Sequence, residues 1–239
     1  MKSFTNFGVF RKRKGNNAHL FTPEIKILFK QDEIQAATSK LLEIGLLGHH
    51  DFQKNWDLSL TVDVLNKVPK NSKIFDAGSG SKAVFGNSSY ALGYRNVFAS
   101  DLQNYTGTNI KFTREDISDT KYHNDFFDLV ACHSVIEHGI DLRMFLQEMY
   151  RITRKNGCIC VSTDFWPIEE DHSDKYPYGN DNPPMMLFNN ASMRDFIEIA
   201  ENIGWAVPTF EEIEPFQPRP ITWTRMKVNY TFAWVCFVK

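Results

Sequence analysis

The chain has 239 residues, 42% of them hydrophobic, and a formal net charge of −2. That size and balance describe one soluble globular unit with a substantial core, and they exclude the basic footprint of a general nucleic-acid binder. No apolar run approaches the roughly 18 residues of a membrane span, and Met1 to Phe10 is too polar for a signal peptide, so a cytoplasmic location is expected.

The run Arg11-Lys12-Arg13-Lys14 reads as a solvated arm. Thr22-Pro23-Glu24 has the form of a helix start, with a cap, a proline at the first position and an acid in the first turn. Ile34, Ala37, Leu41 and Ile44 recur at helical spacing before Gly45 and Gly48 and predict a second helix. Together these make residues 1–54 an N-terminal helical cap, placed to act as a lid over a ligand site. Asp57 is expected to cap a further helix whose Leu58, Val62 and Leu65 share one face and which Pro69 stops.

Lys73-Ile-Phe-Asp-Ala-Gly-Ser-Gly-Ser81 is the organising stretch. It reads as a buried strand ending in a carboxylate and then a tight glycine turn, the place where a doubly wound sheet binds its ligand. Without a Gly-Lys-Ser/Thr triplet it is not a P-loop. Gly78-x-Gly80-x-x-Ala83 still fits a dinucleotide loop, yet the charge of Asp76 beside a pyrophosphate argues against one and suits a ligand bearing positive charge, such as S-adenosylmethionine.

The helix after the turn is expected to break at Gly86-Asn87. Asn96 to Ser100 then forms a strand ending in Asp101, where a βαβ unit places its ribose-binding carboxylate. Further strands are predicted at Ile110 to Thr113, Phe127 to Ala131 and Cys158 to Thr163. Leu142, Phe145, Met149 and Ile152 mark a helix ending at Lys155-Asn156-Gly157. Met193, Phe196, Ala200 and Ile203 mark another, stopped by Gly204. Val228 to Val238 is a long final strand, read as part of an antiparallel edge hairpin. The four cysteines show no C-x-x-C pairing, so neither zinc nor a disulfide is expected.

Repeated strand and helix predict an α/β fold with a parallel sheet covered on both faces. The motifs Asp76-Ala-Gly-Ser-Gly80, Asp101, Asp116-Ile117, Phe127-Asp-Leu-Val130, Ser134-Val-Ile-Glu-His138 and Lys155-Asn-Gly157 together resemble the class I S-adenosylmethionine-dependent methyltransferases, in the style of the small-molecule O-methyltransferases. The resemblance implies a Rossmann-like, doubly wound seven-stranded sheet, mostly parallel with an antiparallel last strand. It makes residues 1–239 a single domain, with a core over 55–239 and a substrate insertion over 164–190.

Carried over by position, the resemblance implies that Asp76, Gly78 and Gly80 face the methionine half of S-adenosylmethionine, that Asp101 holds the ribose, and that Leu102 lies on the adenine. Asp116 and the backbone of Ile117 would read the ring, and His133 would flank the sulfonium. For an alcohol acceptor, His138 is the expected base, with Glu137 orienting it. Relatives that act on small-RNA ends carry E-x-x-E-H and bind a divalent ion. Ser134 replaces the first acid here, leaving Glu137, His138 and either His172 or Asp164 as a weakened set. Asp164, Trp166, His172 and Tyr178 are the expected contacts to a small polar acceptor such as a sugar or nucleotide-linked sugar. A metal-assisted RNA methyltransferase and a cofactor-binding module without turnover are the alternatives.

Overall fold

The computed structural model describes residues 20–177, 179 and 183–239. The basic run at 11–14 and Tyr178 lie outside them.

The chain begins its sheet with β1 (Glu24–Ile27), a strand where Thr22-Pro23-Glu24 suggested a helix. The reason is non-local: β1 pairs antiparallel with the last strand, β8 (Val228–Val238), setting Glu24 opposite Cys236 and Ile27 opposite Ala233. A ladder to a partner at the other end of the sequence outweighs a short local signal. The expected helix at Ile34 is α1 (Gln31–Glu43), which buries Ile34, Ala37 and Leu41, while Ile44 stays exposed beyond its end. The N-terminal segment is therefore part sheet and part helix.

A 3₁₀ turn at Phe52–Lys54 leads into α2 (Asn55–Leu65). Asp57 sits inside the first turn of α2 and does not cap it. Its Oδ1 accepts from the Leu58 N–H at 2.8 Å and its Oδ2 from Ser162 Oγ at 2.5 Å.

The remaining strands are β2 (Lys73–Ala77), β3 (Asn96–Asp101), β4 (Lys111–Arg114), β5 (Phe127–His133), β6 (Thr153–Phe165) and the short β7 (Ile221–Trp223). The sheet runs β1-β8-β6-β5-β2-β3-β4, and β7 pairs with β8 off that path. β2 to β6 are parallel, and β8 is antiparallel to β6. Seven strands thus follow the path, with the last in sequence antiparallel, and β7 makes an eighth. β7 and β8 do form a hairpin, but β8 is interior and β1 holds the edge.

The sheet is covered on both faces. Side chains of α1, α2 and α3 (Val84–Ala91), among them Leu41, Val62, Leu65 and Phe85, close one core with Ile74 and Leu129. Phe145 and Met149 of α4 (Leu142–Ile152) and Met193 and Phe196 of α5 (Asn190–Ile203) close the other with Phe75 and Val130. Gly86 does not break α3. A Cβ there would lie 2.8 Å from Ile110 Cδ1 and 3.3 Å from Asp76 Oδ2, so the glycine is what lets the helix lie against the sheet.

α4 ends at Ile152 and runs directly into β6, which places Lys155-Asn156-Gly157 in the strand, with Asn156 at φ 62°. Cys158, Cys160 and Cys236 are free thiols whose sulfurs all lie within 4.8 Å of one another. Sequence spacing could not show this, because Cys236 arrives from β8. Among the described residues no helix is long and apolar enough to cross a membrane.

Candidate active site

The order of strands reverses between β2 and β5, and a doubly wound sheet opens a crevice beyond the carboxyl ends of its strands at that point. Both glycines of the turn after β2 take positive φ, Gly78 at 67° and Gly80 at 62°. The Gly78 N–H donates to Ser100 O at 2.9 Å, which ties the turn to β3. A Cβ at Gly78 would meet Val135 Cγ2 at 2.6 Å, whereas one at Gly80 would meet nothing within 4 Å. Gly78 therefore serves packing, and Gly80 leaves a bare backbone surface.

Asp101 closes the turn from the neighbouring strand. Its Oδ2 accepts from the Gly80 N–H at 2.8 Å and its Oδ1 from the Gln103 N–H at 2.8 Å. Each oxygen keeps a further lone pair for a ligand donor. Next to it Leu102 is 68% exposed, a large apolar side chain with one face bare. Asp116 is exposed and accepts from the Ser118 N–H, while the Ile117 side chain is committed to the core.

Asp76 is buried below the turn, where its Oδ2 accepts from the Gly86 N–H at 2.8 Å. Burial raises its pKa to about 7 against the opposing pull of that hydrogen bond, and the nearby Asp101 adds to the rise. His133, at the end of β5, lies 2.7 Å through Nε2 from Thr61 Oγ1, which itself accepts from Trp234 Nε1 at 2.9 Å. An indole N–H can only donate, so the Thr61 hydroxyl proton is free to point at His133, whose Nε2 is the acceptor. Burial lowers the pKa of the ring, in keeping with that neutral form.

Glu137 is 3% exposed and its Oε2 accepts from Thr163 Oγ1 at 3.1 Å, whereas His138 as a residue is exposed. Asp164, at the end of β6, is 6% exposed and its Oδ1 has no hydrogen-bond partner. The weakened metal set of Glu137, His138, Asp164 and His172 does not converge. Among the described residues the three-cysteine group is the only cluster with metal-binding geometry.

Trp166 is buried, with the Arg219 guanidinium 3.7 Å over its ring and Phe216 at 5.2 Å, so stacking on an acceptor is not open to it in this arrangement. His172 belongs to a separate polar cavity of about 600 Å³ lined by Glu170, Lys175 and Arg219, among others, and by neither Glu137 nor Asp164.

The segment 49–57 was not legible as part of a site, yet it brings in a cation. Lys54 is half-buried, its Nζ 5.4 Å from the Phe232 ring. Burial would lower its pKa, but Asp164, Asp57 and Glu137 more than reverse this and hold the ammonium above its usual range. The available signal was the polar run Asn55, Asp57, Ser59 and Thr61 on a helix that buries all four.

Residues 75–161 match a family model described as a methyltransferase domain. A search of curated proteins gives no match. Solved structures share the fold. An S-adenosylmethionine-dependent methyltransferase from Mesorhizobium loti is 15% identical over 77% of this chain and 98% of its own, with a TM-score of 0.53. The 1,6-didemethyltoxoflavin-N1-methyltransferase of Burkholderia thailandensis, solved with 1,6-didemethyltoxoflavin and S-adenosylhomocysteine, is 17% identical over 91% of this chain and 93% of its own, at 0.52. Phosphoethanolamine N-methyltransferase 2 of Haemonchus contortus, solved with S-adenosyl-L-methionine, is 13% identical over 88% of this chain and 57% of its own, at 0.57. With the strand order and the turn at Gly78 and Gly80, these findings show the fold of the class I S-adenosylmethionine-dependent methyltransferases, with a methyltransferase-domain match over its central part.

Proposed function

We propose that the protein transfers a methyl group from S-adenosylmethionine to a small polar acceptor, at an oxygen of a sugar, a nucleotide-linked sugar or another biosynthetic intermediate. The observation that carries the reading is Asp101, which holds the open Gly80 backbone and stands beside the bare Leu102 surface. Together these fit a ribose with an attached adenine: a carboxylate with spare lone pairs for two hydroxyls, an apolar ledge for a ring, and a glycine backbone without side-chain cover. Asp76 supplies a titrating carboxyl below the site for a cationic ligand.

When bound, the cofactor supplies a methyl group already activated by a positively charged sulfur. The protein's share is to hold the reactants in line, keep water out and receive the acceptor's proton where the acceptor is an alcohol. Calorimetry with S-adenosylmethionine, S-adenosylhomocysteine and NAD tests the reading. Binding of the first two is expected, and tight NAD binding with neither of them would overturn it.

A further inference from the structure

Resting on that reading, we propose that the polar cavity between residues 170–175 and the stretch 217–229, which leads into the β7–β8 hairpin, is an anion subsite. It takes a phosphate group carried by the acceptor, with Arg219, His172, Lys175 and Lys227 as donors.

The cavity is at the same end of the sheet as the cofactor turn. Trp166 follows the carboxyl end of β6 directly, and β8 pairs there, with Thr231 opposite Phe165 and Phe232 opposite Asp164. The stretch from Gln217 to Asn229, which supplies one wall, ends just before that pairing. In the order β2-β5-β6-β8 the last strand is three spacings, about 14 Å, from the strand that carries the turn. A site by β8 is therefore separate from the cofactor's. An acceptor lying between the two presents its hydroxyl at one end and its anion at the other.

The walls carry an excess of positive charge. Lys175, Arg219 and Lys227 line the cavity against a single acid, Glu170. That acid is spent on Arg219: its two oxygens accept from Nη1 at 2.9 Å and Nη2 at 2.6 Å, and this pairing holds the carboxyl below its ordinary range. With Glu170 and Arg219 cancelling, the two lysines leave the site positive. Lys175 has Asp174 at 2.8 Å, but the Asp174 side chain is 72% exposed and water screens most of that attraction. Among the described residues Lys227 has no ion pair within 4.0 Å.

Arg219 is also fixed in place. Nη1 donates a second time, to Asn229 O at 2.7 Å, and the guanidinium lies 3.7 Å over the Trp166 ring. Three of its N–H groups are thus used, and Nε–H and one Nη2 hydrogen, which share an edge of the fork, have no acceptor among the described residues. Two parallel donors already oriented match a phosphate and lose little freedom in binding it.

His172 adds a vacant nitrogen. Its side chain is 10% exposed and its Nε2 has no hydrogen-bond partner among the described residues, since Glu170 Oε2 is 3.6 Å away. A buried ring nitrogen in a polar cavity calls for a partner from a ligand. The volume of about 600 Å³ suits a whole small molecule rather than a lone ion. The acceptor class that fits is a sugar phosphate, or a sugar joined to a nucleotide through a diphosphate.

The test is calorimetry on the full chain saturated with S-adenosylhomocysteine, which occupies the glycine turn. The probes are glucose 6-phosphate, uridine diphosphate glucose, inorganic pyrophosphate and glucose. At least one of the two phosphorylated sugars is expected to bind, and glucose is not. K175Q/K227Q should weaken that binding by about tenfold or more, and K175R/K227R should stay within about threefold of wild type. Both double variants should keep the wild-type melting temperature and affinity for S-adenosylhomocysteine. Failure of both phosphorylated sugars to bind overturns the proposal, as does glucose binding equally well or a K175Q/K227Q protein with wild-type affinity. Pyrophosphate binding with neither sugar makes this a free-anion site and overturns the acceptor role. If wild type does not bind S-adenosylhomocysteine, the cofactor reading fails, and the same titrations without it still decide the anion site.

Discussion

Replacing Asp76 with Asn tests the electrostatics beneath the glycine turn. The wild-type carboxyl is buried and titrates at about 7 in the folded protein, against 3.8 for an ordinary aspartate. The two values are about 3 pH units apart, and at about 1.36 kcal/mol for each the folded state loses up to about 4 kcal/mol by ionising this group. The sign follows from linkage. A raised acid contributes its full stability below the unfolded value, loses it as pH climbs from about 4 to about 7, and changes no further above that. The amide that Asp76→Asn introduces cannot ionise, so this loss is absent from the variant, and its oxygen can still accept from the Gly86 N–H.

The N–H₂ of the same amide lacks a partner in that setting and costs about 1–3 kcal/mol at every pH. The useful quantity is therefore the difference in unfolding free energy between variant and wild type, measured by denaturant titration of ligand-free protein at pH 4.5 and pH 8. That difference should move in favour of the variant by about 3 kcal/mol between those two pH values, since pH 4.5 already lies above the unfolded value. Calorimetry should show wild-type affinity for S-adenosylmethionine increasing through pH 7 as the carboxylate forms, and a flat response in the variant. Parallel stability curves for the two proteins would refute the reasoning.

Three further outcomes follow from the geometry. Gly78→Ala forces a methyl against Val135 in a left-handed backbone and should cost about 2–4 kcal/mol of stability, partly restored by Val135→Ala, whereas Gly80→Ala should cost about 1 kcal/mol and chiefly weaken cofactor binding; thermal melts and calorimetry on the same samples separate the two. Asp101→Ala should weaken S-adenosylmethionine binding by about 1–3 kcal/mol, and an unchanged dissociation constant would show that the ribose is elsewhere. Thr61→Val strands the Trp234 N–H and removes the donor to His133, so denaturant unfolding should show about 1–3 kcal/mol of destabilisation.

The parts of the fold legible in the sequence are those written locally. Lys73 to Ala77 carries its own strand signal and turn, and Met193, Phe196 and Ala200 carry their own helical period, so both stand where they were expected. Asp101 ends β3 at the distance from the turn that a βαβ unit fixes. Misreadings share one cause: a partner far away in sequence decided the outcome. Glu24 became strand through β8, Gly86 was needed for Ile110, and Trp166 lost its free face to Arg219. Lys54, Glu137 and Asp164 come from three segments, and only the folded sheet brings their charges together.

The pairing of β1 with β8 also sets a schedule for the chain during synthesis. The ribosome makes Glu24–Ile27 about 200 residues before Val228–Val238, so β1 waits without its neighbour until that later segment has been made. A nascent chain stalled before Val228 therefore exposes an open β6 border to any other unfinished copy nearby.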